Sequence, residues 1–442
     1  MAKSVILWLA LLVFLVSCQS PKKDTPMTEK YTAEDGEILR SCEKKLTDLI
    51  VIDIFAPPVA SRVYVYPLLA AYEAGKYSEV EAPSLSARMK GFAAMPVPEA
   101  GKDYDFTIAA VKALGVVARE LVFSKQEIID FTQHHIDQLS ARNDPEVNER
   151  SLAFGQAVAD VVIARLKKDA YLETRGMPRY EVVTTPGLWV PTLPDYEDAA
   201  EPHWNKMACL VLDSASQFLP EPPLDYSEDV QSKYWLQLVE VMQVVNQLTP
   251  DQDSIAVFWD DNPFVSRTKG HLMFRDKKMT PGGHWLAIFR TIARKEAFDL
   301  SKTLQGYALV SAAVFEGFIS VFDAKYKYVT VRPETVINQF LDKEWRPWLV
   351  TPPFPGYTSG HSTISACAAE TLTKLLGDNY AFTDTTELEY GLPVRSFPNF
   401  RAAAQEASIS RVYGGIHFLM DCDEGNKQGT RLGQFVVSKL MQ

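Results

Sequence analysis

The sequence has few cysteines, and their spacing excludes the common thiolate metal sites. Five of the 442 residues are cysteine. Apart from Cys18 they are Cys42, Cys209, Cys367 and Cys422, which are widely spaced and form no Cys-x-x-Cys pair. No zinc site is therefore predicted, and the spacing leaves the disulfide state of these four open. Cys367 lies in an apolar helical pattern and is interpreted as a small buried hydrophobe.

The chain also lacks excess positive charge, internal repeats and long apolar runs after its first eighteen residues. Its net charge is -11 and its pI about 5.3, so non-specific binding to nucleic acid is not expected. Hydrophobic residues make up 47% and charged residues 23%, which is typical of a soluble globular protein. The length allows one large domain or two to three smaller ones. The oligomeric state stays open.

The N-terminus has the pattern of an export signal. Lys3 is followed by an apolar run, Val5 to Val16, that is too short to span a membrane. Leu15-Val16-Ser17-Cys18 resembles a bacterial lipobox, which predicts cleavage before Cys18 and lipidation of that cysteine; an ordinary secretory signal is the alternative. Residues 19–37 are predicted to be a flexible tether. We therefore expect an exported protein, lipid-anchored in the bacterial cell envelope at the outer membrane.

From Ile38 onward the apolar residues recur mostly with helical periodicity, and few strand patterns occur. The prediction is an all-α fold of helical bundles, with an N-terminal region at 38–250 and a C-terminal domain at 251–442. The proline-rich residues 177–225 are predicted to form a long ordered loop, and Ser227 to cap the helix that follows. Leu300 to Tyr328 is predicted to be a core helix because Glu316 and Asp323 interrupt its apolar run.

Three segments of the C-terminal half carry the groups that a tetrahedral oxyanion would need. They are K-Y-K-Y-V-T-V-R-P at 325–333, Y-T-S-G-H-S-T at 357–363 and S-R-V-Y-G-G-I-H-F-L-M-D at 410–421. The middle segment predicts a helix start with Ser359 or Thr358 as its cap. Free backbone N–H groups at a helix start attract anions, Gly360 allows close approach, and His361 could transfer protons. A capped helix with an incidental histidine is the alternative.

The flanking segments supply the charged groups. Lys325 and Arg332 lie seven residues apart, which places both on one face of a helix that ends at the arginine. If His417 and Asp421 share a helix, the carboxylate can orient the imidazole. Arg411 adds a planar donor fork. Alone, the Lys325 and Arg332 pair would more often be a solvated basic face, and the His417 and Asp421 pair would more often be structural. Another histidine, His284, is predicted only to open a helix and pack.

The three patterns in this order, K-x6-R-P, S-G-H and S-R-x3-G-x-H-x3-D, resemble the superfamily of vanadium-dependent haloperoxidases and type 2 phosphatidic acid phosphatases. The chain length and segments such as W-V-P-T-L-P at 189–194 are similar to the bacterial haloperoxidase-like branch. The membrane phosphatases are shorter and have several spans. One departure is Thr358, where the family often has proline. Phe354 falls where the haloperoxidases vary with halide preference.

The resemblance implies roles for the oxyanion-binding groups. Lys325, Arg332 and Arg411 would bind the oxygens of vanadate or phosphate, and Ser359 and the N–H of Gly360 would add hydrogen bonds.

It also implies two catalytic histidines. His361 would be the acid–base group, and His417, oriented by Asp421, would coordinate vanadium or be phosphorylated.

Three functions remain open from the sequence. In a haloperoxidase the cofactor is vanadate, the substrates are peroxide and halide, and Lys325 polarises the bound peroxide. In an acid phosphatase no cofactor is needed, and His417 attacks the phosphorus of a phosphate ester while His361 protonates the leaving alcohol. The third possibility is a lipoprotein that binds an oxyanion without catalysis. The length of the chain and the lack of predicted membrane-spanning segments after the signal favour the haloperoxidase.

Overall fold

The structure is a computed structural model that describes residues 31–79, 82–263, 266–269, 272–275 and 278–442. The predicted signal, the lipidation site Cys18 and residues 19–30 of the predicted tether lie outside these ranges. The described part of the chain is mostly helical, which confirms the predicted all-α fold.

The described chain forms fourteen α-helices and four short strands, and its longest connection contains the proline-rich segment. The helices are α1 (Ala33–Ile52), α2 (Pro57–Gly75), α3 (Phe106–Ala118), α4 (Lys125–Ser140), α5 (Pro145–Leu166), α6 (Tyr171–Arg175), α7 (Lys233–Asn246), α8 (Pro250–Phe258), α9 (Pro281–Lys295), α10 (Leu300–Tyr328), α11 (Pro333–Phe340), α12 (Gly360–Leu376), α13 (Phe400–Tyr413) and α14 (Leu419–Leu440). The strands form two antiparallel pairs, β1 (Ser266–Lys269) with β2 (Leu272–Arg275) and β3 (Phe382–Asp384) with β4 (Arg395–Phe397).

Side-chain caps correct two predicted helix starts. Thr32 caps α1, accepting from the N–H of Glu34, so the predicted tether does not extend to residue 37. The α7 helix begins after Ser232, whose hydroxyl accepts the N–H of Trp235 at 3.1 Å, and not after Ser227. For α7 the predicted cap, Ser227, lies five residues before the one used.

The proline-rich segment 177–225 is ordered coil, as predicted, with one 3₁₀ turn at Trp204–Lys206. Its indoles at Trp189 and Trp204 are fully buried. The backbone N–H of Trp189 donates to the carbonyl of Val329 at 2.8 Å, and that of Val331 donates to Gly187 at 3.0 Å. The coil therefore supports the connection between α10 and α11, which carries Arg332.

The α10 helix is the centre of the fold. By length and composition it could cross a membrane, but 94% of its apolar window is buried inside the protein, which confirms the predicted core helix. Its Glu316 is buried and accepts three backbone N–H groups, from Leu210 at 2.5 Å, Val211 at 3.2 Å and Leu212 at 2.9 Å. Burial raises the pKa of Glu316, and these donors oppose that shift.

One hydrophobic core joins the two predicted regions. The α10 helix packs against α1 and α2 on one side and against α12 and α14 on the other. The core contains side chains from both sides of the predicted boundary at residue 250, such as Leu69, Leu114, Phe315 and Ile364. Four described cysteines are free thiols, and Cys367 is fully buried, as predicted for a small hydrophobe. This packing brings the N-terminus of α12 close to the ends of α10 and α13.

Candidate active site

A pocket at the N-terminus of α12 contains five of the residues that the sequence singled out. Lys325, Gly360, His361, Arg411 and His417 all line it. Apolar side chains, among them Phe318, Phe322 and Phe354, form much of the remaining wall. The three sequence segments therefore converge on one place, although they lie on different helices.

The start of α12 is built as predicted. Ser359 is the N-cap, and its Oγ accepts from the N–H of Ser362 at 3.3 Å. The first N–H groups of a helix have no partner within it, and here they belong to Gly360 and His361. A Cβ added to Gly360 would have no heavy atom within 4 Å, so this glycine faces open space. Thr358 is not the cap; its hydroxyl donates to Gln428 at 2.7 Å.

His417 is held as a neutral, oriented imidazole, but not in the predicted way. It precedes α14 and does not share a helix with Asp421, which lies in the first turn of α14. The Nδ1 of His417 is 2.9 Å from Oδ2 of Asp421, which also accepts the N–H of Phe418 at 3.2 Å. Burial and the charges of Arg332 and Lys325 hold the pKa of His417 well below its usual value. The proton is therefore assigned to Nδ1, which leaves a lone pair on Nε2.

Arg332 approaches His417 from a position that the sequence analysis placed wrongly. The α10 helix ends at Tyr328, and Arg332 is the N-cap residue of α11, so it does not share a helix face with Lys325. Its Nη1 donates to the carbonyl of Ile416 at 2.7 Å and lies 3.0 Å from Nε2 of His417. Its Nη2 is buried and has no hydrogen-bond partner within the described parts of the chain. A buried guanidinium with an unused donor suits an anion.

The other two cations, Lys325 and Arg411, hydrogen-bond to the backbone of segments that border the pocket. Lys325 donates to the carbonyls of Pro355, Gly356 and Thr358 at 2.9, 2.8 and 2.6 Å, and burial holds its pKa well below the usual value.

Arg411 makes the corresponding contacts on the opposite wall. It donates to the carbonyls of Trp259 at 2.5 Å and Ala256 at 3.3 Å. Both cations therefore contribute positive charge while they fix loops that border the pocket.

His361 faces the pocket from the first turn of α12, with 14% of its side chain exposed. Its Nε2 lacks a hydrogen-bond partner among the residues that the structure describes. Burial first, and then the charges of Arg411 and His284, hold its pKa well below the usual value. A neutral imidazole with one free ring nitrogen can exchange a proton with a molecule in the pocket.

Comparisons with known proteins agree with this geometry. A family model described as the VCPO second helical-bundle domain matches residues 305–442. The solved structure of a bacterial vanadium-dependent iodoperoxidase is 43% identical, with a TM-score of 0.86, over 91% of this chain and 96% of that one. This chain belongs to the vanadium-dependent haloperoxidase family. Like the other members, it is an enzyme.

More distant members share the fold. The holo-type bacterial vanadium-dependent chloroperoxidase is 17% identical, with a TM-score of 0.69, over 88% of this chain and 93% of that one. Its apo-type structure is 16% identical with a TM-score of 0.68, over 88% and 94%. No curated protein sequence matches the chain significantly.

The pocket of this haloperoxidase fits vanadate. An oxyanion needs donors that are not already used, and Nη2 of Arg332 is buried without a partner in the described residues. The space in front of Gly360 is open, as a bound oxygen at a helix N-terminus requires. Nε2 of His417, whose lone pair accepts from Arg332 in this structure, could supply the nitrogen ligand that such a central atom would need. The hydrogen-bond donors thus match the oxygens of vanadate, and the imidazole nitrogen matches its central atom.

Three residues beside the pocket had no predicted role in the site. Asp261 lines it, and the ring of His284, which is fully buried, lies between the carboxylates of Asp261 and Asp384. His284 does stand in the first turn of α9, but it does more than pack. No spacing signal could have found this group, because its members are separated by 23 and 100 positions.

Proposed function

We propose that this enzyme oxidises iodide with hydrogen peroxide, using vanadate held in the pocket at the start of α12. The observation that carries the proposal is the pair of buried groups without a partner in the described residues, Nη2 of Arg332 and Nε2 of His361, beside Nε2 of His417, whose lone pair faces Arg332. Iodide is proposed because the iodoperoxidase is 43% identical to this chain, whereas the chloroperoxidase is 17% identical.

The proposed roles follow from what each group can donate or accept. Arg332 and the N–H groups of Gly360 and His361 donate to the oxyanion, while His417 presents Nε2 to its central atom. Ser359 holds the helix start as its cap, and Asp421 fixes the tautomer of His417.

The same arrangement supplies the acid–base group. Bound vanadate supplies Lewis-acid activation of peroxide with no change in its own oxidation state. His361 accepts a proton from the peroxide at Nε2 and returns one later. The halide loses two electrons, and peroxide with one further proton yields hypohalous acid and water.

Lys325 and Arg411 are proposed to act mainly by charge and by positioning. All three N–H groups of Lys325 are donated to the 355–358 loop, which precedes the helix start. The lysine therefore holds this loop in place, and its positive charge would polarise the bound peroxide.

An assay of protein freed of metal and phosphate tests the proposed function. We expect iodide oxidation by peroxide to appear only after orthovanadate is added, and to exceed bromide and chloride oxidation. An aryl phosphate is assayed in parallel, because the same cations could hold a phosphate ester. Phosphate hydrolysis that vanadate inhibits, without any halide oxidation, would instead identify an acid phosphatase.

A second test concerns Gly360 itself. Gly360→Ala places a methyl group in the open space, so we expect vanadate to bind about tenfold more weakly or worse, as for one lost charge-assisted hydrogen bond of about 1.5–3 kcal/mol. Stability should not fall, because alanine favours a helix. Gly176→Ala is the matched control, with only ordinary contact at 3.6 Å. Unchanged vanadate affinity would place the oxyanion elsewhere.

We further propose that the enzyme is exported and anchored through lipid on Cys18. The support is the apolar run followed by Leu15-Val16-Ser17-Cys18. Cell fractionation of Cys18→Ser tests this: the protein should leave the membrane fraction, and unchanged membrane association would contradict the anchor.

A further inference from the structure

A buried histidine behind the pocket has carboxylates at both ring nitrogens. The side chain of His284 is 0% exposed; its Nδ1 lies 3.0 Å from both carboxylate oxygens of Asp261 and its Nε2 lies 3.0 Å from Oδ2 of Asp384. Carboxylates accept and do not donate, so both contacts are satisfied only when both ring nitrogens carry a proton. The carboxylate of Asp384 is itself fixed, because its Oδ1 accepts the N–H and the hydroxyl of Thr386 at 2.9 and 2.7 Å.

The same carboxylate of Asp261 also faces the pocket. Its Oδ2 lies 4.0 Å from Nε2 of His361, within ion-pair distance but beyond hydrogen-bond distance. Asp261 has a φ of 40°, in the left-handed region that few non-glycine residues adopt. The surrounding contacts must hold this conformation, and the contact with His284 is one of them. Asp261 therefore connects two histidines, one inside the pocket and one behind it.

The charges around the two histidines differ in sign. His361 faces Arg411 from α13, Lys325 from α10, His284 from α9 and His417 from before α14, while the backbone of Asp260 hydrogen-bonds its ring.

The negative charge of the neighbouring carboxylate, Asp260, is largely neutralised by a lysine. Asp260 pairs with Lys278 at 2.5 Å. Among the described residues, the carboxylate that lies within ion-pair distance of His361 is therefore that of Asp261.

The charges around His284, unlike those around His361, favour the protonated ring. Burial opposes its charged form, but Asp261 and Asp384 raise its pKa well above the usual value. Glu387 lies 3.9 Å from Nδ1, and burial raises the pKa of its carboxyl to about 8, which disfavours its charged form. A protonated His284 satisfies both carboxylate contacts, whereas a metal ion held by Asp261, His284 and Glu387 would need Nδ1 unprotonated.

We propose that His284 is a positioning residue for the reaction: it holds the carboxylate of Asp261 beside the ring of His361. The carboxylate of Asp261 then stabilises the proton that His361 accepts from the substrate. The positive charge of the protonated His284 weakens this stabilisation, so that His361 can return the proton. This inference rests on the proposed acid–base role of His361. It assigns a function to His284 and Asp384, which do not line the pocket.

Two substitutions of one residue separate positioning from simple packing. The amide of His284→Asn lies near the position of Nδ1 and can still donate to Asp261, whereas that of His284→Gln lies near Nε2 and reaches Asp384 instead. We expect kcat for iodide oxidation to fall about tenfold or more in His284→Gln and clearly less in His284→Asn, with KM values nearly unchanged. His134→Gln and His134→Asn, on the exposed surface of α4, are matched controls.

A second readout does not depend on activity. In vanadate-free protein with labelled histidines, the ring signal of His361 is assigned by its loss in His361→Gln and titrated by NMR. A protonated His284 lowers the pKa of His361, so His284→Asn, which keeps the contact with Asp261, should move its midpoint to higher pH, and by more than His284→Gln, in which Asp261 is no longer held. Asp384→Asn removes a negative charge and keeps the contact between Asp261 and His284, so its midpoint should not rise.

The outcomes are distinguishable. Equal loss of kcat in the Asn and Gln variants, in proportion to lost unfolding stability, would reduce His284 to a packing role. An unmoved His361 midpoint would overturn the coupling, and a stoichiometric divalent metal that disappears in His284→Gln would replace the network with a metal site. If the wild type oxidises no halide, the proposed function fails, but the NMR titration still tests the contact itself.

Discussion

His417→Ala is expected to abolish vanadate-dependent halide oxidation, lowering kcat by on the order of 10³-fold. The substitution removes an imidazole whose Nδ1 is held by Asp421 at 2.9 Å and whose Nε2 lies 3.0 Å from Nη1 of Arg332. Without it, the central atom of vanadate would lose the nitrogen ligand proposed at this position. Halide oxidation with saturating peroxide, measured across a vanadate titration, separates lost affinity from lost turnover.

Two companion variants make this result interpretable. Asp421→Asn keeps the shape of the side chain but removes its charge, and we expect a smaller loss of about 10–100-fold, as for other groups that orient a ligand. His134→Ala, on the exposed face of α4, should leave both affinity and turnover unchanged. A His417→Ala enzyme that remains folded and keeps more than about a tenth of its activity would refute the proposed ligand.

Glu316→Ala is expected to produce the largest loss of stability, about 3–5 kcal/mol in the free energy of unfolding. The carboxylate of Glu316 is the partner of three backbone N–H groups, those of Leu210, Val211 and Leu212. Leu210 and Leu212 are fully buried, so their N–H groups would lose a partner where water does not replace it. Chemical denaturation of the purified proteins measures the change.

The comparison with Glu316→Gln identifies the cause of that loss. The glutamine keeps one acceptor oxygen but presents an NH₂ group to the remaining N–H donors, so we expect an intermediate loss of about 2 kcal/mol. Glu149→Ala on the exposed surface of α5 controls for the loss of a glutamate from a helix. If Glu316→Ala and Glu149→Ala destabilise equally, the three backbone contacts contribute nothing.

Much of the fold was predictable because its signals are local. Helical periodicity and the cap at the start of α12 depend on neighbours within one or two turns, and both were predicted, with Ser359 as one of two candidate caps. The core role of α10 followed from charged residues inside an apolar run. The start of α7 was predicted wrongly because Ser227 and Ser232 lie close together, and only the surrounding packing selects between them.

The sequence by itself determined the family, the helical fold and the chemical groups of the site. The order of K-x6-R-P, S-G-H and S-R-x3-G-x-H-x3-D is specific enough for that. Tertiary structure alone decided how these groups are used: Arg332 lies at the N-cap position of α11 and contacts His417, Lys325 donates its three N–H groups to a loop, and His417 precedes α14. The physical reason is that hydrogen bonds between distant segments leave no periodic trace. The contact between His284 and Asp384 spans 100 positions and exists only once the helices have packed.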